Sequence, residues 1–202
     1  MTLPDGSNDE QAEWRVFCAI EIPETIRVRL QQHISRVREA ASESKASWSR
    51  PENTHLTLRF FGNLRRDLVG NISDATSRVA KRFSRFLVRV SETGVFPSHD
   101  PPKVLWVGIQ DDSGKLAELH QSLELEYESD GFLREHRPFR PHLTVARVRN
   151  SRGSRALAEI HRLTTFEPSV LDVEELVVFR SELNRQGSKY SVISRHRLSR
   201  HR

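Results

Sequence analysis

The chain has 202 residues, 36% hydrophobic and 29% charged, with 32 Lys and Arg against 27 Asp and Glu and a net charge of +5. That length suits one sizeable domain or two small lobes, and apolar runs such as Val104 to Val107 and Leu176 to Phe179 are far too short to cross a bilayer as a helix. A single cysteine, Cys18, excludes an internal disulfide and a cysteine zinc cluster and fits a reducing, cytoplasmic setting, while the basic excess admits a polyanionic partner without requiring one.

The opening MTLPDGSNDEQAE is acidic and polar, unlike a signal or transit peptide, and reads as a flexible arm over residues 1–13. RVFCAIEI (15–22) reads as an apolar strand, and Pro23 then opens a helix with Ile26, Leu30, Ile34 and Val37 on one face. The polar link ASESKASWSRPENT leads into HLTLRFFG, a strand expected to close at Gly62-Asn63. A second helix follows from about Arg66 to Lys81, with Leu68, Ile72, Ala75 and Val79 on one face. FLVRV (86–90) and VLWVGIQ (104–110) read as strands flanking a proline-rich loop. Asp112-Ser113-Gly114 starts a third helix carrying Leu116, Leu119, Leu123 and Tyr127. After the charged loop FLREHRPFRP come the strand HLTVARV, a short helix over 154–161, the strand VEELVVFRSEL and a last strand SKYSVISRH. Residues 14–196 thus read as one bilobal α+β domain, pseudo-duplicated, with two sheets facing one another, followed by a basic tail over 197–202. The tail is basic enough to touch phosphate, although a solvated terminus is the commoner explanation of such a segment.

The chemistry lies in a repeated tripeptide. Strand side chains alternate, so His55 and Thr57 share one face and Leu56 and Leu58 the other, as His142 and Thr144 oppose Leu143 and Val145. Two facing strands of this kind would surround one tetrahedral anion with two hydroxyls and two imidazoles. With an ordinary pKa near 6.5, one imidazole takes a proton from water while the other gives one to the leaving oxygen. A lone His-X-Thr on a strand is commonly structural; two copies with the same leucine, each after a proline-containing polar loop, are a pair.

These residues resemble the RNA 2′,3′-cyclic phosphodiesterase family of the 2H phosphoesterases, named for two His-X-Thr-X motifs, here His55-Leu56-Thr57-Leu58 and His142-Leu143-Thr144-Val145. The similarity spans roughly Arg15 to Ile193 and includes RVFCAIEIPE, PENTHLTLRFFGN, GVFPSHDPPKVLWVGI, GFLREHRPFRPHLTVARV and FRSELNRQGSKYSVI. It implies a bilobal 2H phosphoesterase fold, two antiparallel sheets lining a central cleft with helices outside. It also implies hydrolysis of RNA 2′,3′-cyclic phosphate ends to 2′-phosphomonoesters without metal or cofactor, with weak reverse 2′-5′ RNA ligation. Position by position it makes His55 the proton donor, His142 the proton acceptor, and Thr57 and Thr144 the phosphate ligands. Motif symmetry alone leaves the two histidine roles interchangeable. Lys103 stands where relatives often carry arginine, keeping the charge but losing the bidentate fork.

Arg137 and Arg140, just ahead of His142, are candidates for the phosphate or the neighbouring backbone, against a solvated charged loop. Phe60, Trp48 and Phe139 could stack on a base, but aromatics beside apolar strands are more often core, and simple alternation puts Phe60 opposite His55. Trp106 and Cys18 read as packing and His99 as a surface loop residue. His33, His120 and His161 fall on helices without a partner at metal-ligand spacing, so no metal site is expected. The partner expected is RNA, with a monomer as the default and no membrane. The alternatives are a 2H phosphodiesterase acting on 2′,5′-oligoadenylate or other small cyclic nucleotides, and a noncatalytic RNA-binding module.

Overall fold

A computed structural model describes residues 12–41, 46–98, 101–149, 153–184 and 187–199; His99 lies outside them. In chain order the elements are β1 (Glu13–Glu21), α1 (Glu24–Ala40), β2 (Ala46–Trp48), β3 (His55–Arg65), α2 (Val69–Ala80), β4 (Phe86–Phe96) and β5 (Val104–Gln110). Then follow α3 (Lys115–Ser129), β6 (His142–Val148), α4 (Ser154–Leu163), β7 (Ser169–Val173), β8 (Glu175–Asn184) and β9 (Gly187–Arg197). The strands form two antiparallel sheets, one ordered β3-β1-β8-β9 and the other β2-β6-β5-β4-β7. Each sheet therefore holds one histidine motif: His55 opens β3 in the first and His142 opens β6 in the second.

The helices bury the stripes that the sequence displays. In α1, Ile26, Leu30, Ile34 and Val37 are buried, and in α3 Leu116, Leu119, Leu123 and Tyr127 are, each large apolar side chain contributing about 1.5–3 kcal/mol of transfer free energy. Helices α2 and α3 pack together against the sheet of β8 and β9, while α1 and α4 pack together on the side of β4. Two buried histidines join the latter pair: His161 Nε2–H donates to the Trp106 carbonyl at 3.0 Å, so its Nδ1 accepts from His33 Nε2–H, also at 3.0 Å. The periodicity of α1 and α4 alone gave no sign of this contact. Among the described residues no helix is long and apolar enough to cross a membrane.

Several boundaries differ from the sequence reading. The polar link contains β2, a short edge strand paired with β6. Gly62 does not close β3: its left-handed backbone (φ +77°) lies at a bulge, and the strand continues to Arg65. VEELVVFRSEL is two strands, because the chain leaves β7, paired with β4, and enters β8, paired with β1, at Glu174. The third helix starts at Lys115, where the Asp111 carboxylate accepts from the Leu116 N–H at 2.7 Å and the Ser113 N–H at 3.1 Å. In the basic terminal segment, Leu198 is buried and Ser199 bonds the backbone of Phe83 and Arg85.

Trp106 lies flat across its neighbour Gly94 on β4, where an added Cβ would sit 2.1 Å from the indole ring. Gly94→Ala must therefore displace the ring, an overpacking that costs typically about 1–3 kcal/mol. The expected result is a lower Tm, by roughly 2–4 °C for each kcal/mol in a chain of this size, with an altered near-UV circular dichroism spectrum. An unchanged Tm and spectrum would contradict the close approach.

Candidate active site

Each catalytic candidate is held by the turn before its strand. A 3-10 turn at Pro51–Asn53 sets the Asn53 carbonyl to accept from His55 Nδ1–H at 3.0 Å, and the extended Arg140-Pro141 segment lets the Arg140 carbonyl accept from His142 Nδ1–H at 2.7 Å. A carbonyl can only accept, so both rings carry their neutral-state proton on Nδ1 and leave Nε2 for chemistry. The same residue offset, two positions upstream, fixes the tautomer in both halves.

The rings sit in different surroundings. His55 stacks on Phe17 with centroids 4.6 Å apart and meets the edge of Tyr190 at 5.2 Å, with Phe179 behind. Burial in this aromatic box pushes its pKa down to about 4, against the opposite pulls of the Asn53 carbonyl and Glu21. His142 packs edge-on to Phe96 at 5.1 Å. Its pKa is also lowered, first by burial and further by the charge of Arg147, while the Arg140 carbonyl acts the other way.

His55, Thr57, His142 and Thr144 all line one cavity of about 140 Å³, together with Arg147 and Tyr190 and the polar residues Ser49, Asn53 and Thr54. The two motifs read from the sequence thus meet at one place. Two recesses open from it. One, of about 510 Å³, is aromatic and holds Phe60, Phe96 and Phe139 with His120. The other, of about 430 Å³, is polar and holds Arg50, Arg147, Arg149 and Trp48.

Arg137 and Arg140 line the aromatic recess and not the histidine cavity. Arg137 is engaged by Glu135, with Nε donating at 3.1 Å and Nη2 at 2.6 Å, whereas the Arg140 guanidinium lies over the Phe96 ring at 5.8 Å. Phe139 stacks on His120 with centroids 4.0 Å apart. Phe60 is a correction: instead of packing in the core it is 39% exposed in the aromatic recess, with the Arg15 guanidinium 4.5 Å from its centroid. A bulge leaves Leu58 unpaired between Thr57 and Arg59, so the alternation flips and Phe60 returns to the face of His55. The sequence reading also missed Tyr190, Phe17 and Phe179, which read as plain strand residues until pairing puts them beside His55.

Two sheets that each present a His-X-Thr strand to one cavity define a two-histidine phosphoesterase. The family model of LigT-like phosphoesterases matches the chain twice, over residues 20–106 and 107–190, so each half is one family unit. The chain belongs to the LigT-like phosphoesterase family. It is 31% identical over 180 residues to an RNA 2′,3′-cyclic phosphodiesterase of Methanothermobacter thermautotrophicus, covering 88% of this chain and 95% of that protein. It is 33% identical over 143 residues to one of Aeropyrum pernix, covering 70% and 80%. Among solved structures, TT0787 of Thermus thermophilus superposes with a TM-score of 0.73 at 24% identity, over 91% of this chain and 97% of that one. Escherichia coli LigT complexed with 3′-AMP gives 0.71 at 22% identity, over 94% and 100%. These two likenesses concern the fold.

Proposed function

We propose that this protein hydrolyses the 2′,3′-cyclic phosphate at an RNA end to a 2′-phosphomonoester. Two neutral imidazoles with Nε2 free, each beside a threonine hydroxyl in one small cavity, carry this reading; the names of the curated relatives support it. Thr57 and Thr144 donate to non-bridging phosphate oxygens. Water attacks phosphorus as His142 Nε2 takes its proton, the bond from phosphorus to O3′ breaks, and His55 Nε2–H gives its proton to O3′. The two histidines end in exchanged protonation states and re-equilibrate through solvent. In the free protein burial disfavours the imidazolium at both positions; a bound phosphate anion reverses that preference and charges the donor.

The nucleoside bearing the phosphate lies toward the aromatic recess, where Phe60 and Phe139 offer stacking faces and Arg140 a cation near the strand. Arg137, held by Glu135, lines the same wall. All four motif residues come from one chain, so a monomer suffices, and the one buried cysteine suits a reducing cytoplasm.

The test is single-turnover hydrolysis of a short RNA ending in a 2′,3′-cyclic phosphate, with EDTA present and products separated as 2′- or 3′-phosphates. The expected result is full activity and a 2′-phosphate product. A requirement for added divalent ion, or a 3′-phosphate product, would overturn the mechanism. Hydrolysis of 2′,5′-oligoadenylate in preference to RNA ends would move the substrate elsewhere in the superfamily.

A further inference from the structure

Glu21 closes β1 directly opposite His55, the first residue of β3. Directly opposed residues of an antiparallel pair point to the same side of the sheet, with Cβ atoms about 4.5–5.5 Å apart, so a carboxylate stands beside the imidazole. Packing fixes which side this is. Phe17, Ala19, Val177 and Phe179 cluster with Tyr190 on the cleft side, apart from the main core under the helices. Glu21 follows Phe17 and Ala19 by alternation, and Glu175 precedes Val177 by the same rule.

Arg195 pairs opposite Val177, and Val177 opposite Ala19, so the arginine shares that face from two strands away. Its Nη1 donates to both Glu21 and Glu175, and to reach Glu21 the side chain must cross β8. Glu21 does not line the cavity of the two histidines; it lines a separate groove of about 470 Å³ with Ile22, Pro23 and Glu175. Its route to the reaction is therefore through His55.

The donor role requires His55 to carry a charge that its aromatic surroundings disfavour, since Phe17, Phe179 and Tyr190 desolvate the ring without compensating it. Beside the ring on its own sheet stand Glu21, Glu175, Arg195 and Tyr190, and across the cavity His142 and Arg147. The turn before it presents Glu52 to solvent. Among these charges, that of Glu21 is the one that favours the imidazolium.

We propose that Glu21, fixed by Arg195, is a positioning residue that holds His55 as the proton donor, its carboxylate stabilising the imidazolium through space. The inference rests on the reading of His55 as the donor in cyclic phosphate hydrolysis. The ion pair gives it two opposite signs: loss of the Glu21 charge disfavours the imidazolium, whereas loss of Arg195 removes the cation that offsets Glu21 and favours it.

The experiment compares Glu21→Gln, Glu21→Asp and Arg195→Met with wild type, after circular dichroism and Tm show each to be folded. The first readout is the NMR titration of the His55 ring in the free protein, assigned by its absence from His55→Ala. Screened by solvent and by Arg195, a carboxylate at this spacing shifts a neighbouring imidazole by roughly 0.5–1 pH unit. The midpoint is expected to fall by that amount in Glu21→Gln, to recover partly in Glu21→Asp and to rise in Arg195→Met. The second readout is kcat/KM against pH on a short RNA ending in a 2′,3′-cyclic phosphate. There Glu21→Gln is expected to move the acid limb down by the same interval and to lower the maximum about 3- to 10-fold, because one pH unit is tenfold in the charged fraction. A His55 midpoint unmoved in Glu21→Gln would overturn the inference. So would a midpoint lowered alike in Glu21→Gln and Arg195→Met, which would show that the pair only ties strands together. Wild type inactive on the RNA, with the titration shifting as expected, would instead remove the underlying reading of the reaction.

Discussion

His55→Ala and His142→Ala are each expected to lower kcat/KM for a cyclic-phosphate RNA end by roughly 10²- to 10⁴-fold, the range for one positioned acid or base. The double variant should lose little more than the worse single one, because a donor without its acceptor no longer completes the transfer. Both losses are chemical: each Nδ1–H is committed to a carbonyl at 3.0 or 2.7 Å, so no other ring atom can replace Nε2. Both rings are partly exposed at the cavity, so both variants should fold, and their Tm distinguishes lost chemistry from lost structure. Full activity in either single variant would remove the two-histidine mechanism.

The pH profile follows from the same surroundings. Hydrolysis needs one histidine charged and one neutral, so kcat/KM is greatest between the two apparent pKa values of the pair in the free protein. Burial lowers both, His55 to about 4 and His142 below its usual 6.5. The maximum of kcat/KM should therefore fall on the acid side of pH 6.5, with rate lost below it as the acceptor becomes charged and above it as the donor becomes neutral. The kcat profile should lie at higher pH, since the bound phosphate favours imidazolium. A kcat/KM maximum well above neutrality would contradict these surroundings.

Glu124→Ala is expected to be the most destabilising change near the cleft that touches no motif residue. Arg59 Nη1 donates to the Glu124 carboxylate at 2.9 Å with both side chains buried, 9% and 3% exposed. The same carboxylate accepts the Glu135 N–H at 2.9 Å, and Arg59 donates its other arm to the Leu133 carbonyl. One ion pair thus ties β3 and α3 to the loop over 131–141, which carries Arg137, Phe139 and Arg140 into the aromatic recess. Removing one partner leaves a charge buried and unpaired, at a cost of roughly 3–5 kcal/mol. Denaturant unfolding measures that loss, and faster hydrogen exchange at the Glu135 amide reports release of the loop. The joint change Arg59→Met with Glu124→Leu removes both charges, so it should be less destabilising than Glu124→Ala while leaving the Glu135 amide unprotected. A stability change below about 1 kcal/mol in Glu124→Ala would show that the pair is effectively solvated.

The sequence by itself determined the chemistry-bearing pair and the helices. His55 with Thr57, and His142 with Thr144, share a face because strands alternate, and the buried stripe of α1 follows its 3.6-residue period; both are local regularities that a chain carries wherever it folds. Alternation also marks its own limit. It placed Phe60 opposite His55, and one unpaired residue at Leu58 reversed that, because a bulge depends on which strand lies alongside. The same dependence hid the cleft position of Arg147, the division of VEELVVFRSEL between two sheets, and the aromatic box around His55, whose members come from β1, β8 and β9. The histidine contact between α1 and α4 and the ion pair between β3 and α3 are likewise pairings across 128 and 65 residues. Residue type and spacing name the groups that can do chemistry, whereas which groups meet, and in what dielectric, is set by long-range pairing that only the tertiary structure decides.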